Sequence, residues 1–198
     1  MKVVLCVGCC PDGHLSGKRE ERMSALGRHI INIDLFTDAY RVSGRTQVGT
    51  SGLLSELNNP NTDFLDLEDA YVSRMHEPAK IIGSYSAASF RKDNINFIVL
   101  QDRREGTIMG SAQGRSIFAR GRPVQVFLTV PSFEIHGSVM HDGQMTPGAI
   151  LVHTLGHFQP IFDAEACAAL YPDVTYSGDL ILVRKERVGA FCLSRHKD

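Results

Sequence analysis

Phe64-Leu65-Asp66-Leu67-Glu68-Asp69-Ala70 and Phe158-Gln159-Pro160-Ile161-Phe162-Asp163-Ala164 carry one pattern: a Phe, two residues, an aliphatic, one residue, then Asp-Ala. Any two alternating strands match easily, so period-two agreement by itself says little. Agreement at Phe and at Asp-Ala says more, and it extends outward in the same order. Shifting the chain by 93 positions pairs Ile31 with Val124, Ile33 with Val126, Leu35 with Leu128, Tyr40 with Phe133, Val42 with Ile135 and Gly44 with Gly137. Thr50-Ser51-Gly52 matches Thr146-Pro147-Gly148 after a small insertion. Further on, residues 94–99 and 179–183 each read as a polar residue leading into an apolar strand, and the two are taken as equivalent. Such ordered self-similarity indicates an internal duplication.

Each copy reads as mostly β. Ile31, Ile33 and Leu35 alternate, Thr37-Asp38 interrupts, and Tyr40, Val42 and Gly44 resume the alternation, which is the signature of a hairpin or one bent strand. Gly44 and Gly137 lie inside strand patterns, where a missing side chain marks a bulge or bend. Residues 51–58 place Leu53, Leu54 and Leu57 on one face of a short helix capped by Ser51 or Thr50, and Asn58-Asn59-Pro60-Asn61 ends it. Strands follow at residues 64–72 and 95–100, with a further one expected within 81–90. About five short strands and one helical turn per copy suit a small closed or nearly closed barrel, which leaves no exposed edge. The expected organisation is a leader (1–28), a first β domain (29–101), a linker that packs (102–121) and a second β domain (122–198).

Composition sets the outer bounds. The 198 residues are 43% hydrophobic and 22% charged, so the chain folds, and each half is small enough to need its neighbour. A net charge of -1 supplies no global field for nucleic acid or anionic membrane. No apolar run approaches the roughly 20 residues of a membrane-spanning helix. Five cysteines, with Cys6, Cys9 and Cys10 crowded together and Cys167 and Cys192 far apart, indicate a reducing compartment and hence a cytoplasmic protein. The run from Val3 to Cys10 is short for a signal peptide and is followed by Pro11-Asp12-Gly13. Lys18-Arg19-Glu20-Glu21-Arg22 precedes Met23, a second candidate start, so residues 1–22 are expected to stand outside the folded domains.

Residues 40–44 (Tyr-Arg-Val-Ser-Gly), 52–59 (Gly-Leu-Leu-Ser-Glu-Leu-Asn-Asn), 64–70 and 92–98 (Lys-Asp-Asn-Ile-Asn-Phe-Ile) resemble an uncharacterised bacterial family of short β-rich domains, itself loosely similar to Sm-like and SH3-like small barrels. The likeness covers the first copy well and the second in outline. It implies a small-barrel fold and brings no activity, and the RNA-pocket motifs of Sm-like proteins do not occur at matching positions.

Chemistry-bearing groupings are sparse. Cys6, Cys9, Cys10 and His14 have ligand types suited to zinc, but no second C-x-x-C completes a site. His136, His141, His153 and His157 gather in the second copy; His153 and His157 are four apart, yet no Glu follows His153 and Gly156 turns the segment. Asp69 and Asp163 recur without a partner nucleophile or base, so the Gly44, Phe64, Asp69, Ala70 and Gly137, Phe158, Asp163, Ala164 sets read as structural. Arg41 and Arg45 are spaced as in the Arg-x-x-x-Arg element of PilZ domains, without that element's second half. Arg103, Arg104, Arg115, Arg120 and Arg122 form the one local basic excess, with no Tyr or Trp among them for base stacking. The sequence therefore indicates a non-enzymatic binding or assembly module without a cofactor, acting on a protein partner or on itself. An Sm-like RNA-binding protein, or a metal-binding protein using the second-copy histidines, is the alternative.

Overall fold

The computed structural model describes residues 3–4, 27–106, 121–141, 146–153 and 156–194. Apolar alternation at Ile31, Ile33 and Leu35 buries one side of β2 (His29–Phe36). Thr37 then closes a tight hairpin: its N–H donates to the Tyr40 carbonyl at 3.0 Å and its hydroxyl accepts from the Tyr40 N–H at 3.2 Å. β3 (Tyr40–Val48) returns alongside, and helix α1 (Gly52–Leu57) follows, burying Leu53 and Leu57. Ser51 stands at its N-cap but makes no side-chain cap, contrary to the expectation from sequence. β4 (Phe64–Arg74) and the long β5 (Glu77–Arg91) form the next hairpin, and a 3-10 turn (Lys92–Asn94) leads into β6 (Phe97–Leu100). After a short helix α2 (Arg103–Gly106) the order recurs: β7 (Arg122–Val130), β8 (Phe133–His141), α3 (Pro147–His153), β9 (Phe158–Ala168), β10 (Tyr171–Arg184), a 3-10 turn (Lys185–Arg187) and β11 (Ala190–Leu193). Lys92 and Lys185, which open the two 3-10 turns, both reach back to helix-end carbonyls: Lys92 to Glu56 at 2.6 Å, Lys185 to Leu151 at 3.2 Å.

The expected bend lies at the Asp-Ala pairs. Ser43 and Arg45 of β3 face Tyr71 and Glu68 of β4, and His136 and Ser138 of β8 face Glu165 and Phe162 of β9, so each later strand carries one extra residue. Asp69 and Asp163 are those extra residues, in the left-handed region with φ of 48° and 47°. The glycines opposite sit at a close approach, which requires Gly137, where a Cβ would lie 2.9 Å from both the Phe162 carbonyl oxygen and the Ala164 Cβ, and is tight at Gly44, where a Cβ would lie 3.2 Å from the Glu68 carbonyl oxygen. Because the left-handed conformation costs about 1–2 kcal/mol for a residue that cannot support it, Asp69→Val and Asp163→Val should each lose roughly that much in urea unfolding. Asp69→Gly and Asp163→Gly, which tolerate the left-handed conformation, should be nearly neutral.

All eleven strands of the described residues join one sheet, in the order β11-β7-β8-β9-β10-β6-β2-β3-β4-β5, with a two-residue β1 (Val3–Val4) running parallel to β10 beside Val174 and Thr175. The sheet is not closed into a barrel, so the expectation of two separately closed barrels is corrected. Each half instead spreads its strands in the order last-first-second-third-fourth, and the last strand of the first half, β6, pairs with the fourth strand of the second, β10. The sequence equivalence of residues 94–99 with 179–183 is corrected for the same reason. Phe97, Ile98, Val99 and Leu100 lie directly against Val183, Leu182, Ile181 and Leu180 as hydrogen-bonded neighbours, and the counterpart of β6 is β11.

Two hydrophobic cores lie on opposite faces of this seam. Ile98, Leu100, Leu180 and Leu182 point into the core that α1, β2 and β4 enclose, together with Phe158 and Phe162 from β9. Phe97, Val99, Ile181 and Val183 point into the core of the second half, where Phe36 joins them. Being buried on both faces, the seam strands are apolar without alternation.

Candidate functional site

The seam shows what a partner must supply to cover one of these units. Along the outer face of the second half, Phe158, Pro160, Phe162, Leu180 and Leu182 are all buried, because the first half's core lies over them. Polar clasps fix the contact. The Asn58 side-chain oxygen accepts from the His157 and Phe158 amides at 2.7 and 3.2 Å, and Arg187 donates to the Asn96 side-chain oxygen at 2.8 Å. Asp38 takes hydrogen bonds from Arg187 and Asn96, which hold its carboxyl below the usual carboxylate range. Arg184 bridges Asp93 at 2.9 Å and Glu186 at 3.2 Å.

A second polar knot is enclosed between the halves. Asp34 is fully buried in β2 and accepts from Arg41 Nε at 3.1 Å and Nη2 at 3.2 Å, and also from the Ser43 hydroxyl. Burial pushes its carboxyl up, against the downward pull of Arg41 and Ser43. The Arg41 guanidinium in turn stands 5.4 Å from the ring centre of Tyr176. The buried Tyr176 hydroxyl has no hydrogen-bond partner among the described residues, and burial pushes its ionisation up to about 12. Asp34 and Tyr176 come from opposite halves, and no spacing in the chain foretells their meeting.

Among the described residues, the corresponding outer face of the first half is open. Phe64, at 51% exposure, stands where Phe158 is buried, with Asp66 and Glu68 at the places of Pro160 and Phe162, and Ala87 and Ser89 at those of Leu180 and Leu182. These residues, with Arg28, Thr46, Gln47, Glu56 and Thr62, line an open groove of about 510 Å3. Its polar groups are mutually satisfied: Ser89 donates to Asp66 at 2.5 Å and Gln47 to Glu68 at 3.0 Å. The groove runs out onto β5, an edge strand among the described residues, whose Ile81, Ile82 and Tyr85 are exposed. Polar-with-apolar lining beside an unpaired edge is suited to strand addition and side-chain docking.

The residues singled out from sequence do not converge on this groove, apart from Phe64. Arg41 and Arg45 are each committed to a carboxylate, Arg41 to Asp34 and Arg45 to Asp69, and Arg103 pairs with Asp163 at 3.1 Å. Arg122 opens β7, Arg104 lies in α2, and Arg115 and Arg120 lie outside the described residues. His136 packs on Phe127 and His157 binds Glu186, while His141 ends β8 and His153 ends α3. Cys6, Cys9, Cys10 and His14 lie outside the described residues. Among the described residues no group of three or more His, Cys, Asp or Glu is placed to hold a metal ion, and no helix is long and apolar enough to cross a membrane. The groove itself escaped the sequence reading, although a signal for it was present: β9 and β10 are apolar on both faces, whereas β4 and β5 at the same positions are polar on one. Comparison of the chain with protein-family models, with curated proteins and with solved structures finds no match.

Proposed function

We propose that this chain is a non-enzymatic binding and assembly module, built from two β units that arose by duplication, which takes a protein partner along the β5 edge and the adjoining groove. The observation that carries the reading is the contrast between equivalent faces. One unit has its outer face and fourth strand covered by a neighbour within the chain, and the other leaves both uncovered among the described residues. The recurring element order and the paired left-handed aspartates support the duplication. An unpaired strand edge supplies main-chain donors and acceptors for affinity, and the groove beside it supplies selectivity.

The test is to recover the tagged chain gently from its own cell, beside an Ala87→Lys variant. Ala87 is exposed on β5, so lysine there is compatible with the fold while charging the edge. The reading expects a protein, additional copies of the chain included, that accompanies the wild type and is lost from the variant. Equal recovery with both overturns it. Salt-sensitive RNA retained by both, and lost on replacing Arg103 and Arg104, transfers the assignment to nucleic acid.

A further inference from the structure

Resting on that reading, we infer that the occupant of the free edge is a second copy of this chain, which inserts its β11 beside β5 in the register Ala87–Leu193, Ala88–Cys192, Ser89–Phe191 and Phe90–Ala190. The register follows from the seam. β10 pairs with β6 as Leu180–Leu100 through Val183–Phe97, and β5 and β11 are the corresponding strands of the other half in each case. Leu180 faces Phe162 as Ala87 faces Glu68, and Val99 faces Asp34 as Cys192 faces Phe127. Among the described residues, the chain thus holds one completed junction internally and ends its sheet in the two unmatched halves of another.

Complementarity along this ladder is specific. Ala87 and Ser89, exposed in the single chain, would stand opposite Leu193 and Phe191, which are half-buried against their own core. Exposed Ala190 and Cys192 would stand opposite Phe90 and Ala88, half-buried against theirs. Small residues on the exposed side keep the free edges soluble, and each meets a side chain already anchored in a core. One position limits the ladder. Gly178 of β10 lets β6 approach, since a Cβ there would collide with the Leu100 carbonyl oxygen, and its counterpart on β5 is Tyr85. Tyr85 therefore holds the intermolecular junction shorter and weaker than the internal one. Because β5 and β11 are different surfaces, the contact is heterologous and propagates, into a ring where the rotation between copies closes and into an open filament where it does not.

Sedimentation velocity over a concentration series, with disulfide mapping, tests this. The wild type should associate reversibly. Ala87→Lys should weaken association at least tenfold, and Tyr85→Gly, by removing the obstruction, should tighten it severalfold. An Ala88→Cys chain under mild oxidation should yield an intermolecular disulfide-linked peptide that joins the introduced thiol to Cys192 of another copy. Ala87→Cys, on the opposite face, should not link to Cys192. A wild type monomeric to its solubility limit, or association indifferent to both β5 substitutions, overturns the inference. If self-association fails while another protein is still lost from Ala87→Lys, the edge-binding reading stands and only the occupant is wrong; if neither is seen, both fall.

Discussion

Phe97→Ala should lower the stability of the whole chain by about 3–5 kcal/mol, the cost of removing a fully buried aromatic ring. Phe97 belongs in sequence to the first half, yet its ring stacks on Phe36 at 4.4 Å and meets Phe133 edge-on at 4.8 Å inside the second half's core. Phe36 also contacts Tyr176 at 4.6 Å, so the ring cluster draws on β2, β6, β8 and β10 together. The loss therefore includes transfer energy, aromatic contacts and a cavity at a place where both halves share atoms. Urea unfolding followed by circular dichroism should give a single transition for the wild type, because neither half keeps its core when the seam parts. The variant should show a lower midpoint at unchanged slope. A loss under about 1 kcal/mol, or two separate wild-type transitions, would mean that the halves stand on their own.

A comparable effect is expected at the enclosed ion pair. Asp34→Ala should cost about 3–5 kcal/mol, since it strands the Arg41 guanidinium against Tyr176 in a site where solvent reaches little of it. Asp34→Asn keeps the shape and an acceptor for Ser43 and should cost less. The discriminating variant is the double replacement Asp34→Leu with Arg41→Met. Desolvation already opposes the charge on Asp34, so an apolar pair of similar bulk should recover most of the loss. Thermal unfolding of the single and double variants measures the coupling directly. If the double variant is as unstable as Asp34→Ala, the pair contributes net stability and the desolvation argument fails.

Much of the local structure was legible in the chain. Ile31-x-Ile33-x-Leu35 announced an alternating strand, Thr37-Asp38 its turn, and Gly44 and Gly137 a disruption of the ladder. The recurrence of Asp69-Ala70 and Asp163-Ala164 fell on the two left-handed bulge residues. These are short-range effects: residue spacing sets which side chains share a face, and a tight approach between adjacent strands admits only small residues. The candidate groove left a trace in the chain, the polar face of β4 and β5 where β9 and β10 are apolar, but its openness is a comparison between two faces of the folded molecule.

What the sequence determined by itself was thus the β class, the recurring order of patterns and the small-residue sites that bend the strands, all enforced within one hairpin. Which strand lies beside which across the halves was decided only by tertiary structure. Hydrogen-bonding edges are alike in every strand, so the backbone has no local preference between closing β6 onto its own unit and laying it against β10. Burial made the choice: Phe97–Leu100 and Leu180–Val183 are apolar on both faces, and only side by side, with a core on each side, are all of those side chains removed from water.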